Sequence, residues 1–177
     1  AVAGYTAASK ADQLSVLVNN AMMTAISNYV AQNFGAGKKD RIRLGVRASL
    51  IQTEAFNILM CIGILLLRHP IVELFLSNPT AEIYHYSDVF LTIEAPFYFL
   101  LGLLAVYRTS IQSMQNGRAP FAACMIELVM RLAATVWLSR FLGYTAVCIA
   151  SPLAWFGAVA LLIPVYYRMM MKPVKTV

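Results

Sequence analysis

The sequence predicts an all-α protein, a polytopic membrane helix bundle, and three observations carry that expectation. Of the 177 residues, 60% are hydrophobic and 12% charged, against about 45–50% and 25% in soluble domains. The 14 basic and 8 acidic residues are too few to coat a soluble domain of this length. Long stretches nearly free of charge recur along the chain, each near the roughly 20 residues that cross a hydrocarbon core. The basic residues, finally, are sorted to alternate connections. A soluble fold, a disordered tail and a nucleic-acid-binding domain are all excluded on these grounds, despite a net charge of +6 and a pI of 9.4.

Five spans follow in order, at about 13–34, 48–67, 89–107, 120–139 and 141–167. Between the second and third, HPIVELFLSNPTAEIYHYSD (69–88) holds an apolar run too short to cross. It reads as a short interfacial helix from Pro70 to Leu76, then a turn at Ser77, Asn78 and Pro79. The last span is interrupted by Pro152 and Pro164, and its length of about 40 Å against a core of about 30 Å demands tilt or a kink. No second domain and no internal repeat is evident.

Basic residues are retained on the cytoplasmic side. Lys38, Lys39, Arg41, Arg43 and Arg47 follow the first span, Arg108 and Arg118 flank the next loop on that side, and Arg168, Lys172 and Lys175 end the chain. Lys10, Arg68 and Arg140 fall on the opposite side. The expected order runs from outside to inside in the plasma membrane, with a cytoplasmic C-terminus. Tyr84, Tyr86, Trp137 and Tyr144 form one interfacial belt, and Tyr107, Tyr166 and Tyr167 the other. Five spans starting outside, with no signal peptide in AVAGYTAASKAD, imply at least one further span upstream.

The first span is unusually polar. On a helical projection Ser9, Gln13, Asn20, Thr24, Ser27 and Asn28 share an arc of about 100°. Such a stripe either bonds to neighbouring helices or lines a water-filled cavity, and six polar groups favour the cavity. Three acids also lie within spans: Glu54, Glu94 and Glu127. An ionised carboxylate at mid-membrane costs about 2.5–3.5 kcal/mol on insertion scales, so each needs a partner, a proton or water. Glu127 has Arg131 four residues on, a spacing that suits a structural ion pair. Glu94 precedes Pro96, which disturbs the helix beside an acid, as transporters do when they build sites. Depth also lets Glu54 and Glu94 reach the interface as solvated groups. Cys61, Cys124 and Cys148 lie in spans at no metal spacing, and His69 and His85 stand apart, so neither metal chemistry nor disulfides are expected. FGAGKKDRIRLGVR (34–47) lacks the spacing of a phosphate loop; it reads as a helix-ending turn before a basic helix start.

These residues resemble the multidrug and toxic compound extrusion (MATE) family. AQNFGAGKKDRIRLGVRAS (31–49) is similar to the connection between the second and third helices of a MATE lobe. YRTSIQSMQNGRAPFAACMIELVMR (107–131) resembles the fourth-to-fifth-helix region, and GYTAVCIASPLAW (143–155) the start of the last helix. The resemblance implies helices eight to twelve of a twelve-helix protein, with partners in a missing N-terminal lobe and the first helix of this lobe. Carried over by position, Gln32, Gly35 and Gly37 match the turn motif, Arg108 and Gln112 the fourth-helix exit, Glu127 and Arg131 a Glu-Leu-x-x-Arg element, and Pro152 and Trp155 the last-helix motif. Where many relatives have Gln-Gly-x-Gly, this chain has Gln112, Ser113, Met114 and Gln115. Phe97 to Leu104 also lacks the cation-binding acid of some relatives, which implies a cation site elsewhere in the protein.

The function so implied is secondary antiport: export of drug-like cationic or amphiphilic compounds against protons or sodium ions, with no other cofactor. Gln13, Asn20, Thr24, Ser27 and Asn28 would line the substrate cavity, and Glu54, Glu94, Glu127 and Arg131 are the ion-coupling candidates. A lipid-linked oligosaccharide flippase of the same superfamily is the alternative, ranked lower because Arg131 is the lone basic residue within a span. A structural scaffold would not need the amide stripe. A membrane enzyme would need a nucleophile or metal cluster, and the sequence shows none.

Overall fold

The computed structural model describes the backbone of residues 2–75 and 80–171, and side chains at 13, 19–73 and 80–171. It is built from α1 (Val2–Gly35), α2 (Lys39–Phe75), α3 (Ala81–Glu94), a 3₁₀ turn (Ala95–Phe97), α4 (Tyr98–Ser113), α5 (Arg118–Ala133), a π-helical turn (Ala134–Leu138), α6 (Ser139–Leu142) and α7 (Tyr144–Met171), with no strand among the described residues. Four stretches are long and apolar enough to cross a membrane: Lys39–Glu73, Ala81–Ser113, Arg118–Leu142 and Tyr144–Met171. The all-α membrane bundle is therefore the observed class. α1, expected as a fifth span, is a continuous helix that begins well before residue 13.

Burial divides these helices into a centre and a periphery. Half of the apolar window is buried in Ala81–Ser113 and in Tyr144–Met171, but only 17% in Lys39–Glu73 and 11% in Arg118–Leu142. α2 and α5 accordingly carry large exposed side chains such as Leu59, Leu66, Phe121 and Leu132. Lipid tails are as apolar as leucine, so helices in a bilayer are held by close packing rather than by hydrophobic burial. Small residues permit that approach. Ala146, Ala150, Ala154 and Ala158 form a buried row on α7, and a Cβ on Gly157 would overlap Met130 of α5.

The two helix breaks have local causes. α2 kinks at Leu67 (φ −102°, ψ 15°) ahead of Pro70, whose ring clashes with the carbonyl four residues back and which lacks a backbone donor. The separate interfacial helix expected from Pro70 is thus a kinked continuation of α2 to Phe75; Leu76 and the turn at Ser77, Asn78 and Pro79 lie outside the described residues. Pro96 sits in the 3₁₀ turn that joins α3 to α4. By contrast α7 runs as one helix through Pro152 and Pro164.

Two helix ends close with the same motif. Lys38 N–H donates to Asn33 C=O (2.9 Å) and Gly37 N–H to Phe34 C=O (3.0 Å), with Gly37 at φ +68°, a Schellman cap. At the end of α4, Asn116 N–H donates to Ile111 C=O (3.3 Å) and Gln115 N–H to Gln112 C=O (2.9 Å). Here the left-handed position is Gln115, at φ +61°.

Successive spans run in opposite directions, and each end of the bundle is clamped. At the basic end Lys39 Nζ donates to Met169 C=O (2.9 Å) and Arg43 to Met170 C=O (3.2 Å), which caps α7 with side chains of α2. At the other end His69 lies 3.1 Å from Asp88, Arg68 3.5 Å from it, and Tyr84 O–H donates to Glu73 (2.8 Å). Tyr144 O–H donates to Tyr86 C=O at 3.2 Å.

Candidate functional site

A polar cluster lies buried where α1, α2 and α4 meet. Thr53 and Asn57 are one turn apart on α2, so they share a face, and both are fully buried. Asn57 Nδ2 donates to the backbone carbonyl of Tyr98 (3.0 Å), and Asn19 Nδ2 of α1 donates to Asn57 Oδ1 (3.3 Å). The single amide of Asn57 thereby ties three helices together beside the α3–α4 break.

Glu54 completes the cluster. Both of its carboxylate oxygens are shut off from solvent and hydrogen-bonded to none of the described residues, as is Thr53 Oγ1. The close approach of α2 and α4 depends on Gly102: a Cβ there would lie 2.6 Å from Glu54 Oε1 and 3.1 Å from Thr53 Cγ2, and would overlap the Asn57 amide. The carboxylate, the threonine and the amide therefore close over one bare patch of α4 backbone. Oxygen donors of this kind suit a proton or a hard monovalent cation rather than a transition metal. Among the described residues no three His, Cys, Asp or Glu side chains group as a metal site.

A groove of about 270 Å³ runs beside the cluster between α1 and α4, lined by Asn19, Asn20, Met23, Leu101, Leu104, Ala105, Arg108 and Thr109. Asn19 belongs to both groove and cluster. Toward the basic end Ser113 Oγ donates to Ser27 Oγ (3.0 Å). Of the expected cavity-lining residues, Gln13, Asn20, Thr24 and Asn28 are exposed, Asn20 at the mouth of this groove, and Ser27 is half-buried. The side chain of Ser9 lies outside the described residues. The stripe thus meets α4 only along one edge, through Asn20 in the groove and Ser27 at Ser113.

The ion pair expected within α5 is replaced by one between helices. Glu127 bonds to Arg108 of α4, and Arg131 is exposed with no ion pair among the described residues. An inter-helix partner shields both charges from lipid, whereas a pair along one helix face leaves them at its surface. Arg131 sits about 20 Å along α5 from Arg118, a depth at which a bare guanidinium needs water or protein beside it. Glu94 does not reach the interface: it is buried at 3% exposure, at the junction of α3 and the 3₁₀ turn. Of the motif residues, Gln32, Gly35 and Gln112 are exposed at the basic end, and Pro152 and Trp155 are buried in α7.

The structure brings Glu54 into a cluster whose other members, Asn19, Thr53, Asn57, Tyr98 and Gly102, went unmarked in the sequence. The available signal was a Thr-Glu-x-x-Asn run on one face of an apolar helix, since three polar side chains there must find partners off the helix.

A multi-pass α-helical bundle whose polar chemistry consists of amides and carboxylates enclosed between broken and kinked helices has the build of a membrane transporter. The chain belongs to the MatE family, whose model matches residues 1–137 and so takes in the cluster, the groove and the Arg108–Glu127 pair. It is similar to the FAD transporter of Shewanella oneidensis, 21% identical over 154 residues that cover 86% of this chain and 34% of that protein. The chain spans about a third of the length of this curated relative. No solved structure matches it.

Proposed function

We propose that the chain forms part of a secondary antiporter of the plasma membrane, with its C-terminus in the cytoplasm, that exports organic solutes against protons or sodium ions. Glu54 carries this reading. A carboxylate with both oxygens buried and no hydrogen bond from the described residues is costly when ionised and alone. A proton or a sodium ion removes that cost. Its occupancy then biases the packing of α2 on α4, and through Asn57 and Asn19 the wall of the α1–α4 groove. Coupling follows by linkage, because an ion shifts only an equilibrium between states it binds differently. Glu94, buried where α3 meets the 3₁₀ turn, is the other ion-coupling candidate; Glu127, already neutralised by Arg108, serves as a structural tie.

For the substrate, a drug-like cationic or amphiphilic compound suits a groove whose guanidinium is matched by a carboxylate. A lipid-linked oligosaccharide flippase would call for uncompensated cations facing the pyrophosphate. The name of the Shewanella relative favours a second reading, transport of an anionic dinucleotide. Efflux from vesicles holding the intact transporter, measured with a cationic dye and with FAD under imposed pH or sodium gradients, separates the two. Failure of every gradient to drive either solute would overturn the antiport reading.

A further inference from the structure

Four basic side chains, Lys39, Arg41, Arg43 and Arg47, crowd the first turns of α2, where the helix dipole favours anions. Lys39 and Arg43 resolve that conflict by capping the carbonyl end of α7. Arg47, one turn deeper than Arg43, makes no hydrogen bond or ion pair among the described residues, yet it lines a cavity of about 430 Å³ between α2, α4 and α7. With half of its side chain exposed and its guanidinium 3.6 Å from the exposed carboxylate of Asp40, Arg43 lines the same cavity. Its opposite wall is aromatic: the rings of Tyr107 and Tyr166 meet edge to face at 5.2 Å, and Tyr166 leads on to Tyr167. The rest of the lining, Val46, Leu50 and Met170, is apolar.

We propose that this pocket binds the phosphate headgroup of an anionic phospholipid, held by Arg47 and Arg43. Two guanidiniums four residues apart line one cavity, and the planar fork of a guanidinium suits a phosphate. Tyr107, Tyr166 and Tyr167 line the wall, and the amphipathic rings of tyrosine suit a headgroup interface. The apolar lining of Val46, Leu50 and Met170 gives the acyl chains a contact that a soluble phosphate would not use. Basic pockets between helix ends are recognised lipid-headgroup sites in general. This one is independent of the coupling cluster, so its failure leaves the antiport reading untouched.

Native mass spectrometry of the intact transporter tests it, after exchange into detergent with phosphatidylglycerol or with phosphatidylcholine. Phosphatidylglycerol is expected to stay bound in preference, and Arg47→Gln to weaken its retention about fivefold, the effect of one basic residue near an anionic surface. Arg43→Gln weakens retention too but also uncaps α7, so Arg47→Gln is the deciding variant. Arg118→Gln, a change at the same end away from the pocket, is expected to leave retention unaltered. Inorganic phosphate should displace the lipid no better than chloride at equal ionic strength. Equal retention of the two lipids, retention indifferent to Arg47→Gln, or a loss as large with Arg118→Gln would overturn the assignment. Specific displacement by phosphate would overturn its lipid part.

Discussion

Glu54 and Glu127 are both carboxylates in apolar helices, and the chain treats them in opposite ways. Glu127 is matched by Arg108 across the α4–α5 contact, with side-chain exposures of 16% and 26%. Its charge is settled, and the pair stays put in any state that keeps those helices together. Glu54 is enclosed by Thr53, Asn57 and the bare backbone of Gly102, with its oxygens bonded to none of the described residues. A group left so has an energy that depends on what reaches it from outside. The difference separates a tie that holds the bundle from a site able to report on an ion.

Breaking the tie should have the largest effect on stability. Glu127→Ala leaves Arg108 in a half-buried site without its counterion, at a cost of about 3 kcal/mol, the low end for a buried pair because both partners keep some exposure. Thermal unfolding in detergent would read this as a clear fall in Tm. The double variant Arg108→Gln/Glu127→Gln should lose less than the sum of its single changes; additivity would mean that the pair does not couple α4 to α5.

Gly102→Ala comes next. The added methyl overlaps Asn57 and crowds Glu54, and overpacking of this kind costs about 1–3 kcal/mol. Because it wedges α2 from α4 at the cluster itself, gradient-driven transport should fall more than stability does. A variant with wild-type transport would show that the cluster tolerates separation of those helices.

A smaller effect, of opposite sign, is expected at the end of α4. Gln115 holds φ +61°, where a side chain costs about 1–2 kcal/mol relative to glycine, partly offset by the chain entropy glycine loses on folding. Gln115→Gly should therefore stabilise by up to about 1 kcal/mol. A lower Tm would mean that the Gln115 side chain makes a compensating contact.

What the sequence made legible follows from the range of each interaction. Helices declare themselves through runs of neighbouring apolar residues, and Pro96 announced a break that is present as the 3₁₀ turn. Pro70 announced a break too, but a kink at Leu67 suffices to absorb it, so α2 continues. The partner of Glu127 was misread because the four-residue spacing to Arg131 is visible in one helix, whereas Arg108 lies on another. The network through Asn19, Asn57 and Tyr98 joins residues 38 and 41 positions apart, and only the packing of three helices reveals it. Gly102 offers no side chain to notice; its role is the space it leaves.

The central claim, that Glu54 is where an ion acts on the transporter, is tested most directly by Glu54→Gln in the intact protein reconstituted into vesicles. Solute movement would be measured under an imposed pH or sodium gradient and, separately, as solute counterflow with no gradient. Loss of the gradient-driven component with counterflow retained is the expected result, since the neutral amide fills the same space without responding to an ion. Gradient-driven transport at the wild-type rate in this variant would contradict it.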